Sequence, residues 1–212
     1  MIAVIGILAA LVSPSEYRIP LEVYRNVEAS NLRSIGQAML ADAATHHNGY
    51  QLSSGLPDVY ALAAHLARDG MMNDSKLWYS KIDRNYPAPI EPPAILIPAA
   101  EVGGDPTINP KFQAAPLAFA VALFPAGTNL KPLPGNTPLA WTRGLQPDGT
   151  WSKRLGTYGD WGGHIVFLNG LTKTFKGSVK GGLVKFGTTQ PTSDIREALP
   201  PGTRISEYKP GI

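Results

Sequence analysis

The chain is expected to be an α+β protein, with a long N-terminal helix packed on a small antiparallel β-sheet with extended loops. Three observations lead there. Apolar residues recur at helical spacing from Tyr17 to Met39. Glycine (22) and proline (20) make up about a fifth of the 212 residues, which favours loops and short strands over a helical bundle in the later part. Two runs of five residues flank an Asn-Gly pair near the C-terminus, the pattern of a β-hairpin.

Along the chain, Ile2 to Val12 (IAVIGILAALV) form an uncharged apolar run. As a helix it would reach about 17 Å, too short to cross a bilayer. A run of this length is a signal-peptide core, a buried helix or a fragment of something longer, and the residues alone do not choose. Beyond Pro14, the apolar positions Tyr17, Leu21, Tyr24, Val27, Leu32, Ile35 and Met39 make one stripe of an amphipathic helix. Glu22, Arg25, Glu28 and Asp42 are read as polar residues between its apolar positions. Leu32, Ile35 and Met39 are the expected packing residues against the sheet, because a lone amphipathic helix is marginal in water. Pro14 and Pro20 should kink the upper part, and Asn48-Gly49 should end the helix.

In the body, residues 56–70 (LPDVYALAAHLARDG) predict a short second helix with Asp58 in its first turn and Gly70 closing it. Ala94 to Ile97 and Leu117 to Phe124 read as strands, the second well buried. His164 to Leu168 and Leu171 to Phe175 read as a hairpin, with Asn169 and Gly170 as a two-residue type I′ turn.

Composition excludes several classes. The chain has no cysteine, so it has no disulfide framework or thiolate metal site. The net charge of +3 comes from scattered lysines and arginines, and no nucleic-acid partner is expected. No nucleophile elbow, metalloprotease helix or phosphate-binding loop occurs, so the chain is read as a non-enzyme with no catalytic, cofactor-binding or metal-ligating residue. His46-His47, His65 and His164 are assigned structural or surface roles. Gly162-Gly163 and Gly181-Gly182 are assigned to turns. Trp78, Trp141, Trp151 and Trp161 suit core or rim packing better than sugar stacking.

Two regions, 1–50 and about 137–175, carry a family resemblance. IAVIGILAALVSP looks like the N-terminal tail of type IV pilins and type II secretion pseudopilins, and NLRSIGQAMLADAATHHNGY (31–50) is similar to a stretch of a large pseudopilin-like bacterial family. TPLAWTRGLQPDGTW with GGHIVFLNG resembles that family's C-terminal signature, with Asn169 in place of its usual aspartate and Gly159 where it carries a histidine. The resemblance implies about eight further residues before this start, opening with phenylalanine and including a glutamate. They would lengthen the apolar run to about the 20 residues a membrane helix needs.

The resemblance further implies a three-part layout. Residues 1–14 are a membrane and filament-core segment carried by Ile2, Val4, Ile5, Ile7, Leu8, Leu11, Val12 and Pro14; 15–49 continue that helix; 50–212 form an α+β head. The implied role is a structural filament subunit, anchored in the inner membrane with a periplasmic or extracellular head, whose partners are its own copies, other pilin-like subunits and a prepilin peptidase. No cofactor is required. Major pseudopilins bind calcium, for which Asp148 and Asp160 would be the oxygen donors here, but no EF-hand-like array of acids is present. The alternatives are a secreted soluble ligand-binding or hydrolytic protein, with carbohydrate as the candidate ligand, maturing near Ser15, and a DNA-uptake pilin.

Overall fold

The computed structural model describes residues 21–45, 55–83, 89, 91–102 and 104–208. A 25-residue helix, α1 (Leu21–Thr45), lies across a five-stranded antiparallel sheet, with a second helix, α2 (Val59–Arg68), packed beside it. The sheet runs β6 (Thr172–Lys176), β5 (Gly162–Phe167), β4 (Pro138–Thr142), β3 (Phe119–Leu123), β9 (Arg204–Ser206). Two small antiparallel pairs lie apart from it: β1 (Leu96–Ile97) with β2 (Thr107–Ile108), and β7 (Leu183–Val184) with β8 (Pro191–Thr192).

Leu32, Ile35 and Met39 of α1 are fully buried, and the helix contacts β4, β5 and β6. Gly36 lets the two layers approach closely: a Cβ there would stand 2.7 Å from Val166 Cγ2 of β5. Every residue of β3, β4 and β5 is buried, so these strands are covered on both faces. One contiguous core runs from Leu32 to Leu199.

The predicted elements in the body are present, with three differences. Asp58 caps α2 from outside, its Oδ1 accepting from the Ala61 amide at 2.8 Å, one position earlier than expected. Gly162 and Gly163 open β5 and do not form a turn; a Cβ on Gly163 would strike the Trp151 indole at 2.7 Å.

The hairpin joins β5 to β6, but its turn differs from the two-residue expectation. The Gly170 amide donates to the Phe167 carbonyl at 2.8 Å and the Phe167 amide to the Leu171 carbonyl at 2.9 Å. Gly170 has φ +77°, so the loop is Leu168-Asn169-Gly170, a turn followed by a left-handed glycine. Strand register sets this length, because Val166 pairs with Thr172 and leaves three residues between Phe167 and Leu171. Asn169 serves the turn through its side chain, with Oδ1 accepting from the Leu171 amide.

Candidate functional site

The first turns of α1 differ from the rest of the helix. Leu21, Val23 and Val27 are 48%, 47% and 52% exposed. Val23, Tyr24, Val27 and Asn31 line one side of a groove of about 380 Å³, with Lys76, Leu77, Tyr79 and Lys81 on the other. The expected stripe is therefore corrected at its upper end: Leu21 and Val27 are solvent-facing apolar residues and do not pack on the sheet.

Beneath these turns the helix rests on a buried polar seam. Glu28, expected to be solvated, is 3% exposed and accepts a hydrogen bond from the Ser80 hydroxyl. Its spacing explains the error. Glu28, Leu32, Ile35, Met39 and Asp42 follow one another at three or four residues, so both carboxylates stand on the buried stripe. Burial pushes the Glu28 carboxyl up to about 7, against the pull of the Ser80 and Tyr158 hydroxyls; Asp83 adds to the rise and Arg25 opposes it. Among the described residues, neither Glu28 Oε2 nor the Tyr158 hydroxyl has a partner of full hydrogen-bond geometry.

Arg25 pairs with Glu22 at 3.0 Å and lays its guanidinium 3.7 Å above the Trp161 ring. His164, in β5, sits edge-on to Tyr158, with ring centroids 5.7 Å apart, and its Nδ1 meets Thr174 Oγ1 at 2.9 Å. Burial pulls the His164 imidazole down to about 4, so it is neutral at ordinary pH. Deeper still, Arg143 and Asp83 form a buried ion pair, and the guanidinium also donates to the Leu155 and Leu117 carbonyls. The described polar neighbours of His164 are Thr174 and Tyr158 at its ring, Arg25, and Thr142, whose hydroxyl accepts from the His164 amide. The seam joins α1 to Ser80 by a hydrogen bond and to Trp161, beside the start of β5, by stacking.

The remaining expected sites are scattered. Ile2, Val4, Ile5, Ile7, Leu8, Leu11, Val12 and Pro14 lie outside the described residues, as do Pro20, His46, His47 and Asn48-Gly49. Trp78, Trp141 and Trp151 are buried and offer no open face to a sugar; Trp161 lies under Arg25. Asp148 accepts from the Thr150 amide and hydroxyl, at 2.9 and 2.7 Å, as turn chemistry. His65, on α2, meets the far end of α1, with its Nε2 2.8 Å from Asp42 Oδ1. Asp42, also expected to be polar surface, is fully buried there.

These features define a mixed helix and antiparallel-sheet protein whose one long helix is part covered and part exposed. No protein-family model, curated protein or solved structure matches the chain. Among the described residues, no helix is long and apolar enough to cross a membrane.

Proposed function

We propose that this chain is a structural, pilin-like subunit of a type II secretion or type IV pilus-like filament, held in the inner membrane before assembly by the segment that includes residues 2–12. The observation that carries the proposal is the gradient along α1. Its first turns present Leu21, Val23 and Val27 to solvent on the side of the chain that leads back to the apolar run, while Leu32, Ile35 and Met39 are sealed against the sheet. Such a helix is fixed to its own body at one end and has apolar surface for like helices at the other. Burial of that surface between copies supplies the assembly energy, and no catalytic step is involved.

The deciding experiment is the mass of the N-terminal peptide of the native protein from membrane and sheared-surface fractions of the source cells. A methylated phenylalanine upstream of Met1 is the expected result. A mature terminus near Ser15 overturns the reading in favour of a secreted soluble binding protein. As a second check, Ile5→Arg or Leu8→Arg should release the native protein from the membrane fraction, since a charge near a membrane-helix centre costs about 2.5 to 3.5 kcal/mol.

A further inference from the structure

We infer that Asp42, His65 and Asp69 form a divalent-cation site, best suited to zinc, that clamps the C-terminal ends of α1 and α2 together. The three side chains come from two helices and converge on one point. His65 Nε2 stands 2.8 Å from Asp42 Oδ1 and 3.3 Å from Asp69 Oδ2, and all three ligand atoms lie within 4.8 Å of one another. Ligand atoms sharing one zinc at about 2.0 to 2.2 Å in a tetrahedron stand about 3.3 Å apart, so little movement is needed to seat the ion.

The local field favours a cation here. Asp42 lies in the last turn of α1, which carries no basic residue, and Asp69 is the residue that caps the C-terminus of α2. Both helix ends are the negative poles of their dipoles, where a carboxylate is disfavoured and a cation favoured. Arg68, the one lysine or arginine of α2, donates to the Pro106 carbonyl at 3.2 Å.

The burial gradient suits a bound ion. Asp42 is fully buried, the His65 side chain is 20% exposed and that of Asp69 39% exposed, so the site is anchored inside and open to solvent on the Asp69 side. One imidazole and two carboxylates, with water in the open position, match zinc; calcium asks for six to eight oxygens, more than these residues offer. The ion would tie α2 to the helix that Glu28 ties to Ser80.

The test is titration of the chelator-treated full chain with Zn²⁺ alone, by calorimetry and by thermal melting. The expected result is one ion per chain, a raised melting temperature, and at least about a tenfold loss of affinity in Asp69→Asn and in His65→Asn, since removing even outer-shell partners costs about 10- to 100-fold. Asp69 is exposed enough that its variant should fold, which circular dichroism checks. Because histidines of an unfolded chain also take up zinc, a His46→Asn/His47→Asn variant is run in parallel. Loss of affinity in the Asp69 and His65 variants supports the clamp whatever the double variant does. No stoichiometric uptake, uptake unchanged in Asp69→Asn and His65→Asn, or loss confined to the double variant overturns it and leaves a proton-bridged ion triad.

Discussion

The two halves of α1 are built from similar residues and have opposite surroundings. From Glu28 onward the stripe Glu28, Leu32, Ile35, Met39 and Asp42 is buried, charged members included; before it, Leu21, Val23 and Val27 are apolar and exposed. Hydrophobicity alone therefore does not sort them. Their contacts do: the sheet and α2 lie beside the second half, and a groove with Lys76 and Lys81 on its far wall lies beside the first.

The strongest way to break this contrast is a charge in the covered half. Ile35→Asp should destabilise the body by about 4 kcal/mol, because the carboxylate has no partner against the sheet, whereas Lys173→Ala on the exposed face of β6 should stay within about 0.5 kcal/mol. Denaturant melts of both variants are the measurement; equal effects would mean that the helix face is misassigned.

The seam offers a test by pH. The folded-state Glu28 carboxyl, at about 7 against an ordinary 4.5, binds a proton that the unfolded chain has released, so its contribution falls as pH rises from 4.5 through 7, by about 3 kcal/mol in all. His164 runs the other way. Its pKa of about 4 against 6.5 means that stability is lost as pH falls from 6.5 towards 4. In the wild type the two slopes offset between pH 4.5 and 6.5. Glu28→Gln should expose a rise in stability from pH 4 to 6.5 that levels off above it, and His164→Asn a fall from 4.5 to 7; flat profiles in both variants would place these groups in solvent.

A smaller effect sharpens the helix–sheet contact. Gly36→Ala gains about 1 kcal/mol of helix propensity but drives a methyl into Val166, so a net loss of about 1 to 2 kcal/mol is expected. A stabilised variant would show that the layers separate easily there. Smallest in stability is Val27→Ser, expected within about 0.5 kcal/mol for the isolated chain. Its effect should appear in self-association of the full-length protein, and unimpaired assembly would count against the exposed half as the contact surface.

The elements most readable in advance were those with strong local signals. The 3.6-residue period marks α1, Asp58 and Gly70 bracket α2, the continuous apolar run from Leu117 marks β3, and the Asn-Gly pair marks a hairpin. The buried seam was legible in part. Spacing alone puts Glu28 and Asp42 in register with Leu32, Ile35 and Met39, but the expectation that charge stays outside overrode it. The length of the hairpin loop depended on pairing across the sheet, which the turn residues do not encode.

By itself the sequence determined where helix and strands form, because propensity, caps and periodicity act over a few neighbouring residues. Which half of α1 is covered, that Glu28 and Arg143 are buried with polar partners, and that Asp42 meets His65 and Asp69 were decided by the tertiary structure alone. Those contacts join residues 23 to 60 positions apart, and their energies depend on burial and on partners that exist only once the layers have packed.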